Sequence, residues 1–168
     1  MSIQTMQDLW VDQLRDLYDA EKQIVKALPK MAKSASSAEL KRAFEEHLEQ
    51  TKNQVERLEK IFAQMDERPK RKKCAAMEGL LEEGEELISE GEKSAVLDAG
   101  LIASAQKVEH YEIAGYGTAR THAETLGYSE AARLLEQTLN EEKATDEKLT
   151  QLAEGMVNEE AVETSGER

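Results

Sequence analysis

Acidic side chains stand inside the apolar rows of three segments whose hydrophobic spacing predicts α-helices. Glu21 takes one position of a row that is otherwise leucine and isoleucine, and Glu109 and Glu112 continue a row of isoleucine and alanine. Glu142 and Asp146 each lie seven residues after a leucine, which returns them to nearly the same helix face. The spacing therefore predicts that several carboxylates point into the interior of a helical protein.

A histidine and an amide, His47 and Gln50, lie one helical turn apart at the matching level of a fourth segment. Buried carboxylates are costly because they lose hydration and repel one another, and no lysine or arginine occupies the inward rows. A pair of divalent cations would remove both costs, so the pattern predicts a metal centre. Its candidate ligands are Glu21, His47, Gln50, Glu109, Glu112, Glu142 and Asp146. Oxygen-rich ligation with one imidazole favours iron or manganese over a tetrahedral zinc site.

A solvated arrangement of the same acids is the alternative. An acid at the edge of an apolar row can extend its carboxylate to water, and 35 acidic residues among 168 make accidental placement common. His110 adjoins Glu109 but points away from the inward row, and His122 has the setting of a surface histidine. The two interpretations differ in whether the carboxylate oxygens converge inside the protein.

Four long helices account for these rows. Strong helix formers dominate the composition, runs of strand-favouring residues are absent, and only two prolines occur. The apolar spacing predicts helices over about 5–35, 38–65, 94–125 and 129–156. Pro29 falls inside the first of these helices and predicts a kink or a break there. The predicted fold class is therefore all-α.

The connection between the second and third helices, residues 66–93, is unusually long. It opens with the basic stretch RPKRKK, which we expect to be exposed and paired with acids of the first or last helix, and its glycines favour one or two short helices. Two antiparallel helix pairs joined by such a crossover predict a ferritin-like four-helix bundle. We expect the bundle over residues 1–157, followed by an acidic, disordered tail over 158–168 that lacks apolar periodicity.

An excess of acidic residues restricts the partners. The formal net charge of −13 disfavours phosphate backbones and anionic lipid. No apolar run of about 18 residues could cross a membrane, and the first residues lack the basic-then-apolar layout of a secretory signal. We expect a cytoplasmic protein that binds neither nucleic acid nor membranes, and a homodimer whose contact uses Met6, Leu9 and Trp10.

Several longer motifs carry a family resemblance. The stretches LRDLYDAEKQIVKALPKMA, FEEHLEQTKNQVERLEKIF and DAGLIASAQKVEHYEIAGYGT resemble the YciF stress-protein family, and the likeness runs from about Ile3 to Ala153. The resemblance implies a ferritin-like helical bundle similar to rubrerythrin and manganese catalase. It also implies a dimer and a bacterial stress-response setting, without an assigned reaction.

The resemblance also implies a set of inward residues. By position these are Glu21 in YDAEKQI, His47 in HLEQT, Glu109 and Glu112 in EHYEI, and Glu142 with Asp146 in EEKATD. The chain departs from the family pattern at Gln50, where a glutamate is expected after HLE. It also lacks the acid-x-x-His turn that ferritin-like metal sites use on two helices.

Two functions remain open from the sequence. The first is a stress-response protein whose di-metal carboxylate site reacts with peroxide or oxygen. The second is a non-enzymatic structural or assembly protein in which the metal site is vestigial or empty, an interpretation favoured by Gln50 and by the three histidines of the whole chain.

Overall fold

The computed structural model describes residues 3–166, and helices make up nearly all of this part of the chain. The elements are α1 (Met6–Ser34), α2 (Ala38–Gln64), α3 (Ala75–Glu90), α4 (Ala95–Thr125), α5 (Ser129–Leu152), a π-helical turn (Ala153–Val157) and α6 (Asn158–Ser165). The four long helices agree with the predicted ones to within about a turn, so the all-α prediction is confirmed. α1 continues through Pro29, so the helix does not break there.

Local start signals set where the long helices begin. Thr5 and Asp8 form a capping box at α1, in which each side chain accepts a hydrogen bond of 3.0 Å from the other residue's backbone N–H. Ser37 and Ser94 cap α2 and α4 with their hydroxyl oxygens, which accept hydrogen bonds from the backbone N–H groups of Leu40 and Leu97. Gly127, with φ of +80°, makes the tight turn into α5. These caps fix the level at which each helix presents its acids.

Contacts between the two ends of the bundle give the helix directions. Asp98, at the start of α4, accepts hydrogen bonds of 2.7–2.8 Å from Ser36 and Ser37 at the turn after α1. Near the other end, Trp10 of α1 donates its indole N–H to the carbonyl of Ala119 on α4, at 2.9 Å. α4 is therefore antiparallel to α1. With tight turns inside each pair, α1 and α5 run one way while α2 and α4 run the other.

The connection between α2 and α4 follows α1 for most of its length. Arg71 pairs with Asp19 on α1 at 2.8 Å, and Lys93 donates to the carbonyl of Lys33 in the last turn of α1, at 3.3 Å. This path is the predicted crossover, and the basic stretch pairs with acids of the first helix as expected. The connection carries one helix, α3, which continues through Gly79 and Gly84 and ends at its C-cap, Gly91.

The acidic tail differs from its prediction. Residues 158–165 form α6, which packs against α4, so the expectation of disorder over 158–168 is wrong for this part. Val157, the last residue of the π-helical turn, and Ala161 of α6 lie four residues apart, and both are buried on one face. Two apolar residues are too few to show a periodicity in the sequence. Residues 167 and 168 lie outside the described residues.

Trp10 also lies elsewhere than predicted. Its side chain is 0% exposed, and its ring stacks on Tyr128 with centroids 5.0 Å apart. It therefore packs inside one chain and cannot form the expected dimer contact. Of the other two residues predicted for that contact, Met6 is exposed and Leu9 is half-buried.

Two apolar clusters form the core, and the acidic residues lie between them. Leu17 of α1 and Tyr116 of α4 belong to one cluster, and Ile24 of α1 and Ala105 of α4 belong to the other. Glu21 falls between the two clusters on α1, and the two acids of α4 fall between them on α4. The bundle thus holds a polar layer closed above and below by hydrocarbon.

Candidate metal centre

Four buried side chains from three helices meet in the polar layer. They are His47 of α2, Glu109 and Glu112 of α4, and Glu142 of α5, and one ligand atom of each lies within 4.8 Å of the others. The three glutamates are 0% exposed and the histidine is 5% exposed. Solvated acids at the edges of their helices are therefore excluded for these positions, and the carboxylates converge as predicted.

His47 stands between two of the carboxylates. Its Nδ1 lies 3.2 Å from Oε1 of Glu109, close enough for an ion pair although the two atoms are not aligned for a hydrogen bond. Its Nε2 lies 3.9 Å from Oε2 of Glu142. Burial lowers the pKa of the imidazole, with the charge of Glu142 opposing this shift. A neutral imidazole can act as a metal ligand through a nitrogen lone pair.

Glu21 brings α1 into the same layer. It is 0% exposed, and its Oε1 accepts a hydrogen bond from the hydroxyl of Tyr116. A close approach of α1 and α4 makes this possible. A Cβ atom on Gly115 would lie 2.8 Å from Cδ2 of Leu17, so a larger residue at that position would require the Leu17 side chain to move.

Gln54 is a member of the layer that the apolar spacing did not reveal. It is 0% exposed, and its Nε2 donates to Oε1 of Glu142 and, at 3.2 Å, to Glu141. Arg57 holds Glu141 through two bonds of 2.5 and 2.6 Å. Because two carboxylates take the amide hydrogens, the amide orientation is set and its oxygen is left as an acceptor. The seven-residue step that identified Glu142 would have found Gln54 from His47.

Gln50 and Asp146 lie outside the cluster. Oε1 of Gln50 accepts a hydrogen bond of 3.2 Å from Thr145, and Asp146 pairs with His110 at 3.2 Å while remaining half-buried. Helical rotation explains both positions. Gln50 is turned about 60° around α2 from His47, and Asp146 is turned about 40° around α5 from Glu142, toward solvent in each case.

Unsatisfied polar atoms make the layer a candidate binding site. In folded proteins buried polar atoms nearly always have a hydrogen-bond partner, and exceptions point to an ion, a water or a catalytic role. Eight such atoms without a partner lie here: Oε2 of Glu21, Nε2 of His47, Oε1 of Gln54, both carboxylate oxygens of Glu109 and of Glu112, and Oε2 of Glu142. All are acceptors when the histidine is neutral with its proton on Nδ1, so protons or metal cations are the partners they require.

The electrostatics agree with that requirement. Burial raises the pKa of Glu21, Glu109 and Glu112 well above the ordinary glutamate value, and neighbouring carboxylates, Glu142 among them, raise it further. A cation bound between them would reverse this effect because it stabilises the ionised form. The buried cluster can therefore hold a metal ion, and its donor atoms fit one.

Replacing Gln54 and Gln50 by leucine in separate variants tests which of the two amide side chains belongs to the candidate metal site. We expect Gln54→Leu to weaken Mn²⁺ binding about 10- to 100-fold, because it removes an unpaired acceptor oxygen from the layer and unpairs Glu142. Gln50→Leu is expected to leave the affinity nearly unchanged. Isothermal titration of both variants measures this. Equal losses in the two variants would contradict the assignment of Gln54.

Known proteins share both the sequence and the fold of this chain. A family described as "Domain of unknown function (DUF892)" matches residues 5–162. The protein YciF of Escherichia coli strain K12 is 52% identical over 162 residues, which cover 96% of this chain and 98% of YciF.

Solved structures give the same result. The crystal structure of the E. coli stress protein YciF superposes with a TM-score of 0.89 at 53% identity, covering 93% of this chain and 99% of that one. YcfI of Rhodopseudomonas palustris gives 0.86 at 47% identity, covering 89% and 95%. A protein of Xanthomonas campestris, 23% identical with a TM-score of 0.76, shares the fold over 96% of this chain and 98% of its own. The chain belongs to the DUF892 family, together with the stress protein YciF.

Proposed function

We propose that this protein binds a pair of iron or manganese ions in the buried cluster and uses them to react with peroxide or oxygen under stress. One observation carries the proposal: eight unpaired acceptor atoms from four helices face one another in a layer closed off by apolar side chains. The stress setting comes from the similarity to YciF, which is described as a stress protein.

Charge balance supports two ions rather than one. The layer holds four carboxyl groups, those of Glu21, Glu109, Glu112 and Glu142. It also holds a histidine, which is neutral at pH values above its lowered pKa. Two divalent cations would neutralise four carboxylates. Glu142 neighbours all the other members, so it is suited to contact both ions. Carboxylate oxygens with one imidazole and one amide oxygen are a ligand set for iron or manganese.

The surrounding residues hold the ligands in place. Tyr116 donates to Glu21, and the Arg57–Glu141 pair supports Gln54 from behind. The apolar clusters above and below limit the access of water and of large reductants. When bound, such a metal pair would supply the electrons that reduce a small oxidant, and the metal ions would be oxidised in turn. The protein positions the ligands, provides their negative charge and excludes water from the site.

A structural role is the second candidate. YcfI of Rhodopseudomonas palustris, 47% identical, is described as a candidate structural protein. Within residues 3–166 His47 is the one histidine in the buried cluster, which is few for a metal site. The raised pKa of acids such as Glu112 also favours their protonated form, and protonated carboxyls could remain buried without metal. In that case the acids would be neutral members of a core, and no metal would copurify.

Metal content separates the two candidates. We expect purified protein to contain about two equivalents of iron or manganese by elemental analysis, and the double variant Glu21→Gln, Glu109→Gln to contain almost none. The control is Glu56→Gln, Glu154→Gln, which removes two exposed carboxyls and the same charge. Native protein that is free of metal and stays folded in chelator would favour the structural role.

We further propose that the protein acts in the cytoplasm as a homodimer and binds no nucleic acid, since its net charge of −13 repels phosphate. None of the helices in the described part of the chain has the length and apolar character needed to cross a bilayer.

A further inference from the structure

A cleft between α2 and α5 leads from the surface to the metal centre. It has a volume of about 220 Å³, and His47 lies at its inner end. Glu46 and Lys148 stand at its outer end, both well exposed and paired at 2.5 Å. The cleft lies on the side of the bundle where the crossover does not pass.

We propose that this cleft is the access route and waiting site for the small uncharged oxidant, such as hydrogen peroxide or dioxygen, that reaches the metal centre. The proposal rests on the function proposed above. It assigns a role to the α2–α5 side of the bundle and to Gln50, which lies in the cleft wall and outside the metal cluster.

An unpaired atom connects the cleft to the cluster. Nε2 of His47 is buried and has no hydrogen-bond partner, although the His47 side chain lines the cleft. The same nitrogen lies 3.9 Å from the carboxylate of Glu142. A molecule at the inner end of the cleft would therefore contact the side chain of His47, whose buried Nε2 separates it from the carboxylate of Glu142.

The opposite approach to His47 is closed. A space on the side of α1, α3 and α4 also touches His47 and Glu109, but its volume is about 10 Å³. A single water needs roughly 10–15 Å³ of such space, so this side is at the limit for one water molecule. The α2–α5 cleft is many times larger, which makes it the route for a peroxide molecule.

The walls of the cleft select for uncharged molecules. Phe44, Ala144 and Leu149 give it apolar surface, and the Gln50–Thr145 hydrogen bond is its neutral polar contact. The Glu46–Lys148 pair at the mouth carries no net charge. An anion would gain nothing from these walls and would meet the carboxylates behind them.

Gln50 acts as the gate of this route. Its side chain bridges from α2 to Thr145 on α5 across the cleft, at 3.2 Å. A glutamate there would add a negative charge and would accept the same hydrogen bond more strongly. With an amide at position 50, the hydrogen bond across the cleft is uncharged and weak. Thermal opening of this one bond therefore admits a small molecule.

Chemical modification of His47 in the full-length, metal-free protein tests the route. Diethyl pyrocarbonate is small and uncharged and reacts with unprotonated imidazole, and peptide mapping reports each histidine separately. We expect Ala144→Phe, which fills the mouth, to slow the modification of His47 about ten-fold because the reagent must wait for rarer openings. Gln50→Ala, which removes the gate, should speed it by a similar factor.

Matched controls keep the outcome specific. Ala63→Phe adds the same ring at an exposed alanine of α2, sixteen residues beyond His47, and should not change the rate. Exposed His110 reports the reagent concentration in every sample. Equal rates in wild type and Ala144→Phe, or equal slowing by Ala63→Phe, would overturn the proposal, as would an unchanged rate in Gln50→Ala.

Metal loading separates this proposal from the function on which it rests. Mn²⁺ added first should protect His47 from the reagent in wild-type protein while His110 still reacts. Loss of this protection would count against the metal centre, whereas the rates of the Ala144 and Gln50 variants decide for or against the route.

Discussion

Replacing Glu112 with glutamine should stabilise the metal-free protein and weaken its binding of metal. Both carboxylate oxygens of Glu112 are buried without partners, and its carboxyl lies among those of Glu21, Glu109 and Glu142. The amide introduced by Glu112→Gln would carry no charge and would donate to the neighbouring carboxylates. We expect a gain of about 1–3 kcal/mol in the free energy of unfolding, and a 10- to 100-fold loss of Mn²⁺ affinity.

A second buried acid supplies the control for this experiment. Asp98 is 1% exposed, but its carboxylate accepts three hydrogen bonds of 2.7–2.8 Å from Ser36 and Ser37. Asp98→Asn should therefore cost about 1–3 kcal/mol without changing metal affinity. Urea unfolding in chelator and titration with Mn²⁺ measure both effects. If Glu112→Gln lowers the free energy of unfolding of the metal-free protein as Asp98→Asn does, burial of the Glu112 carboxyl does not destabilise the fold, and the prediction is wrong.

The opposite behaviour of two buried acids reflects how the site is built. Asp98 belongs to the fold, since its donors join the start of α4 to the turn after α1. Glu112 has no such donors and is placed by the helix that carries it. A group held in the interior against its own stability is typical of a functional position, where the ligand it binds offsets the cost.

The carboxylates could be predicted from the sequence because an acid in an apolar row is a strong signal. Glu21 and Glu109 occupy rows whose other members are buried, so their positions on the helix follow from spacing. Glutamine gives a weaker signal, because it occurs in cores and on surfaces without a large energetic penalty. Gln50 and Gln54 are one turn apart, and rotation about the axis of α2 decides between them.

Contacts between distant parts of the chain limit what local spacing can predict. Trp10 is buried because Tyr128, from the turn between α4 and α5, stacks on its ring. Ala161 is buried because α6 returns to pack against α4. Neither partner follows from the local apolar spacing. Local spacing predicts where helices form and which face of each is apolar. Whether a particular residue is buried also depends on which other elements pack against it.

The metal-free protein should lose stability as the pH rises above the ordinary pKa of a glutamate. The folded-state pKa values of Glu21, Glu109 and Glu112 are raised above the ordinary value of 4.5. The folded state therefore keeps protons that the unfolded chain has released, and the stability present at low pH is lost as the pH climbs toward the raised values. Each carboxyl that stays protonated contributes a slope of about 1.4 kcal/mol per pH unit.

Two other groups define the window for this measurement. The pKa of His47 is lowered from 6.5, so its contribution to stability rises with pH but ends near that value. The pKa of the Cys74 thiol is raised from 9.0, so it adds a loss of its own only in more alkaline solution. Between these two ordinary values neither His47 nor Cys74 contributes to the slope, so a slope measured there reports the buried carboxyls.

Bound metal should reverse the sign of this dependence. Metal ions bind the ionised carboxylates, so their affinity rises with pH, and a free metal concentration 100 times the dissociation constant adds about 2.7 kcal/mol of stability per site. Unfolding in urea with chelator and with excess Mn²⁺, at several pH values in this window, measures both slopes. Glu112→Gln should flatten the metal-free slope because it removes one of the three raised carboxyls. Parallel slopes with and without Mn²⁺ would mean that the cluster releases no protons to a metal, and the buried acids would then be neutral members of the core.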